Sequence, residues 1–165
     1  MPVSVNLLCV AVLIGTTVLA ISRNQKPRLG TIVYGTTLVI SAVAFASAIG
    51  ALLGIGDTVS TLSLPLGLPW IGAHFRLDAL AAFFLAVVNF GGGIASLYGI
   101  GHGRHEAAPS RVLAFFPAFL AGMNLVVLAD DAYTFLFSWE FMSLTSWALV
   151  MAHHKDRMNL RAGYV

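Results

Sequence analysis

The sequence has little charge and almost no cysteine, which removes several function classes at once. Only 10% of its 165 residues are charged, against roughly a quarter in soluble domains. The single cysteine, Cys9, excludes an intrachain disulfide framework and a cysteine metal cluster. It lies inside an apolar run and reads as a small packing residue. There is no glycine-rich phosphate loop, no Cys-x-x-Cys pair, no haem-attachment signature and no Ser/His/Asp arrangement. No catalytic centre, cofactor site or metal site is therefore legible. The basic residues are scattered between apolar segments, so the formal charge of +2 does not point to nucleic acid. The first residues also lack the basic start of a cleavable signal, and the apolar run that follows is longer than a signal core.

What the chain has is apolar length. It is 58% hydrophobic with a mean hydropathy of +0.87, a composition suited to a lipid bilayer. Five spans are expected, at about residues 3–21, 31–55, 77–98, 111–129 and 132–152. The expected fold is an all-α membrane protein, five transmembrane helices in one membrane domain over residues 1–165. Between the second and third spans, residues 57–75 alternate apolar and polar on either side of Pro65 to Pro69. That pattern predicts a short extramembrane hairpin. Trp70 suits the interfacial aromatic belt, and His74 reads as an exposed polar residue, with no second ligand near it.

Within the second span Ala42, Ala46, Gly50 and Gly54 recur every four residues, predicting a strip where another helix packs closely. The third span holds Asn89 and Gly91-Gly92-Gly93. Asn89 is expected to hydrogen-bond across helices, with a wet path as the alternative, and the glycines to permit close packing. Pro117 is expected to bend the fourth span. The turn after it, Asp130-Asp131, is so short that helices four and five should be antiparallel neighbours. With the N-terminus outside, Arg23, Lys26, Arg28, Arg104, Arg111, Lys155, Arg157 and Arg161 all fall on the cytoplasmic side. Only Arg76 then falls outside, a strong positive-inside asymmetry.

Glu140 is the one ionisable side chain well inside a span. A charge at that depth is costly and usually marks an ion or proton pathway. At helical spacing it shares a face with Tyr133, Phe137, Ser143, Leu144 and Trp147. Ser143, one turn on, could support it. The alternative is a permanently neutral carboxylic acid bonded to a neighbouring helix. His153 and His154 follow at the helix end. Adjacent helical residues diverge by about a hundred degrees, so the pair does not converge on a metal; it reads as a polar end that could pass protons onward.

Phe75-Arg76-Leu77-Asp78-Ala79-Leu80, and the run Phe137-Ser138-Trp139-Glu140-Phe141-Met142-Ser143-Leu144-Thr145-Ser146-Trp147, resemble the antiporter-like membrane subunits of respiratory complex I. The similarity is greatest to the large membrane subunit of hydrogenase-4 and formate hydrogenlyase. It covers most of the chain from about Pro69 onward. It implies a proton-translocating membrane subunit, or the N-terminal part of one, with Glu140 as the intramembrane glutamate that pairs with a lysine on a later helix. It also implies an outer-face hairpin between the second and third spans, no bound cofactor, and residence in a bacterial or archaeal cell membrane. Implied partners are the bilayer and other membrane subunits of a respiratory or hydrogenase complex. These include whatever segment or chain supplies the remaining helices and the lysine, because no lysine lies in any apolar span here. The alternatives are a subunit of a multisubunit cation/proton antiporter, and a structural or assembly remnant that transports nothing.

Overall fold

A computed structural model of the chain describes residues 2–22, 29–55, 59–65, 72–102 and 109–151. The apolar runs form five helices: α1 Pro2–Ser22, α2 Leu29–Leu52, α3 Ala79–His102, α4 Pro109–Leu128 and α5 Ala132–Val150. Between α2 and α3, β1 (Ser60–Leu64) and β2 (Ala73–Leu77) pair antiparallel with Ser60 opposite Leu77 and Leu64 opposite Ala73. The predicted hairpin is therefore present; Trp70 lies outside the described residues. α1, α2 and α3 are long and apolar enough to cross a membrane, and α4 adds the shorter apolar stretch Val112–Leu128. α5 carries Glu140 and five Ser or Thr side chains and is less apolar. The molecule is an all-α membrane protein with a small hairpin.

Boundaries moved for local reasons. Leu77 belongs to β2, and α3 starts only after Asp78, whose Oδ1 accepts the Ala81 N–H at 2.8 Å as an N-cap. α2 stops at Leu52 because the chain turns through Gly54 at φ 71°, a left-handed conformation that glycine adopts without steric cost. α4 runs through Pro117, which is fully buried.

The core shows how the helices alternate. One cluster joins Val3 at the start of α1, Ala48 near the end of α2, Ala82 at the start of α3 and Leu128 at the end of α4. Phe75 and Leu77 of β2 complete it. A second joins Ala20, Val33, Tyr34, Leu113 and Ala114 at the opposite ends of the same helices. A middle cluster holds Val10, Leu13, Leu120 and Ala121. Successive helices thus run up and down, with the hairpin closing one end of the bundle.

Inside it, small and polar side chains make the close contacts, as expected where lipid gives helices no hydrophobic reason to associate. A Cβ on Gly92 would stand 2.8 Å from the Leu120 side chain, so Gly92 lets α3 approach α4, while Gly93 faces Leu38 and Ser41 of α2. Asn89 and Asn124 form a buried pair across α3 and α4. The Asn89 Nδ2 donates to Asn124 Oδ1 at 2.6 Å and to Leu85 O at 2.9 Å, and Asn124 Nδ2 donates to Leu120 O at 2.7 Å. The cross-helix bond expected of Asn89 is formed. The strip expected on α2 is not the packing face. Ala42 and Ala46 are exposed, and α2 buries Thr37, Ser41, Ala44 and Ala48 instead. Spacing alone could not choose between two small-residue rows on a helix apolar all round.

Candidate functional site

Among the described residues two places carry chemistry-bearing side chains: the outward face of α5 and the charged seam where β2 meets the α4–α5 turn. On α5 the buried residues are Thr134, Ser138 and Thr145. They point at α4, and the approach is close: a Cβ on Gly122 would lie 2.9 Å from Met142 Cα. Glu140 stands two residues from both Ser138 and Met142, about 200° around the helix in each direction. It must therefore point away from α4.

It does. Glu140 is exposed, together with Tyr133, Leu136, Phe137, Ser143, Leu144 and Trp147. The face inferred from helical spacing is real, and it is open. Ser143 lies one turn from Glu140, and among the described residues no hydrogen bond or ion pair reaches the carboxylate. His153 and His154 lie outside the described residues.

The start of α5 is firmly held. Asp131 caps it: Oδ1 accepts the Thr134 N–H at 2.8 Å, and Oδ2 accepts the Thr134 hydroxyl. The same Oδ2 accepts the His74 N–H at 3.1 Å and lies 3.6 Å from His74 Nδ1. The Thr134 hydroxyl above all, then the two backbone N–H donors and the nearby imidazole, outweigh partial burial and hold the Asp131 carboxyl at about 2, below its ordinary 3.8. Asp130 N donates to His74 O at 2.9 Å, and Phe75 bridges to Ala129. Arg76 ties the seam together, with Nε 3.0 Å from Asp130 Oδ1 and Nη2 3.5 Å from Asp78 Oδ2.

Sequence reasoning placed these charges at one end of the bundle but did not connect them. Two signals were available: His74 and Arg76 alternate onto one side of a strand, and an Asp immediately before an apolar helix is an N-cap pattern. His74 is half-buried rather than exposed, because its strand is pinned to the turn before α5: its backbone N–H donates to Asp131, and its ring lies beside the same carboxylate. Among the described residues no three His, Cys, Asp or Glu side chains group as metal ligands.

No protein-family model matches the chain. Curated proteins do. An uncharacterized protein of Mycobacterium tuberculosis is 35% identical over 117 residues, 71% of this chain and 18% of its own length. Hydrogenase-4 component B of Escherichia coli is 34% identical over 90 residues, 53% of this chain and 13% of its own. NADH-quinone oxidoreductase subunit L of Escherichia coli is 29% identical over 157 residues, 89% of this chain and 25% of its own. The chain belongs to the antiporter-like membrane subunit family of complex I and related hydrogenases. It spans a quarter or less of the length of these three relatives.

Proposed function

We propose that the chain forms the N-terminal part of a proton-translocating membrane subunit, in a hydrogenase-4, formate hydrogenlyase or NADH:quinone oxidoreductase-like complex. Glu140 is its intramembrane relay carboxylate. The observation that carries this reading is the position of Glu140: mid-helix, on the face of α5 turned away from α4 and left open by the described residues. Left against hydrocarbon, an ionised carboxylate there costs roughly 3 kcal/mol on insertion scales. Covered by protein that offers a cation, it becomes a site where a proton can be held and passed on.

Relatives four or more times as long as the matched region leave ample sequence for that cover. A lysine on a later helix is the cation that the family resemblance suggests. Ser143 lies within one turn to hydrogen-bond the carboxylate or a water, and His153 and His154 continue toward the cytoplasm with the N-terminus outside. The chain itself binds no redox group in this account. Its partners are the bilayer, the covering helices and the complex's other membrane subunits.

The test is Glu140→Gln in the complete protein, assembled in its complex, with proton pumping into inverted membrane vesicles measured beside assembly. Pumping should fall sharply while assembly stays normal. Unchanged pumping in a normally assembled complex defeats the relay role.

A further inference from the structure

At the hairpin end of the bundle an open cleft of about 210 Å³ runs between the start of α3 and the end of α4, space for several water molecules or one small polar group. Its lining changes character along its length. Arg76 and Asp78 stand at the mouth, and Leu80, Ala81, Phe84 and Val127 continue it along the apolar body of the bundle. Leu80 and Phe84 are exposed large apolar side chains beside charged groups. That sequence of surfaces, charged at the bundle end and apolar toward its middle, matches the profile of a phospholipid at the membrane interface.

The charges select among headgroups. Arg76 is about half exposed, 49%. Its contacts to Asp130 and Asp78 engage Nε and Nη2, and a guanidinium has five N–H donors, so further donors remain for a phosphate. Around this single cation stand Asp78 and Asp130, with Asp131 alongside on His74. The cluster is net negative even if His74 is protonated. A headgroup that is itself anionic meets repulsion there, whereas one that carries an ammonium beside its phosphate finds a partner for each charge.

We propose that this cleft binds phosphatidylethanolamine. The phosphate lies on the free N–H donors of Arg76, the ammonium on the carboxylate of Asp78, and the upper acyl chain along Leu80, Phe84 and Val127. The site is separate from Glu140 and does not depend on the relay reading.

The test uses the complete protein in vesicles of equal parts phosphatidylethanolamine and phosphatidylglycerol. The photoreactive p-benzoylphenylalanine replaces Phe84, and the lipid adducts are identified by mass spectrometry. Ethanolamine adducts should exceed glycerol adducts by about threefold, the discrimination expected of one partly exposed charge contact. Asp78→Asn, which removes the carboxylate that holds the ammonium, or Ala81→Phe if the charge change unfolds the protein, should bring the ratio close to one. The same label in place of Phe90, exposed on α3 but further from the charges, should show no preference. Equal labelling by both lipids at Phe84, a preference that survives the blocking substitutions, or the same preference at Phe90 would each overturn the proposal.

Discussion

Replacing Asn89 with leucine tests how the bundle holds together at its centre. The substitution removes the 2.6 Å bond to Asn124 Oδ1 and leaves that oxygen in a site where Asn124 is only 2% exposed. A buried acceptor without a partner costs about 1–3 kcal/mol. The cross-helix bond itself is worth less, since measured bonds between membrane helices average about 0.6 kcal/mol and reach about 1.7. Asn89→Leu or Asn124→Leu alone should therefore cost about 1–3 kcal/mol, mostly through the amide left behind. Changing both removes the orphan along with the bond, so the double variant should cost less than the sum by about 1–3 kcal/mol. Unfolding of the purified complete protein in mixed micelles, followed by tryptophan fluorescence as dodecyl sulfate is raised, gives the four free energies of the cycle. Costs that simply add, within about 0.5 kcal/mol, would refute the pairing.

Three further outcomes follow from the geometry. Gly122→Ala puts a methyl 2.9 Å from the Met142 backbone; it should cost about 1–3 kcal/mol by overpacking, whereas Gly50→Ala, with nothing within 4 Å, should leave the same unfolding curve nearly unmoved. Asp131 is held at about 2 against an ordinary 3.8, so its carboxylate stabilises the fold fully above pH about 4 and loses that contribution as pH falls toward 2. Melting temperatures across that window should drop less steeply for Thr134→Val, which removes the largest cause of the shift, than for the unaltered protein. Finally, Val59→Cys, on the exposed start of the hairpin at 55%, should react with an impermeant maleimide from the outer face; labelling only from the cytoplasmic side would reverse the proposed orientation.

Much of this architecture could be read from residue order. The apolar runs located five helices to within a few residues, because a span must be long and nearly free of charge. Asp130-Asp131 implied the α4–α5 contact, because so short a turn leaves no other arrangement. The hairpin followed from alternation about Pro65 and Pro69. The packing face of α2 was misread for a physical reason. When nearly every side chain is apolar, hydrophobicity carries no direction, and the inner face is marked by Thr37 and Ser41 rather than by the row of alanines and glycines. Partnerships between distant segments were equally silent. Nothing local in Asn124 names Asn89, and nothing in Arg76 says that it will join the cap of α3 to the turn before α5. The face of Glu140 was legible from helical spacing. That this face is the open one depends on Gly122 and Met142, which decide how α5 lies on α4.

The most direct measurement of the central claim is the number of protons translocated per electron pair by the assembled complex carrying Glu140→Gln, with Glu140→Asp beside it. Electron transfer and assembly are recorded on the same membranes. A relay carboxylate predicts a lower ratio for the glutamine variant and partial recovery for the aspartate, with assembly intact in both. A ratio equal to that of the unaltered complex in the glutamine variant would contradict the account.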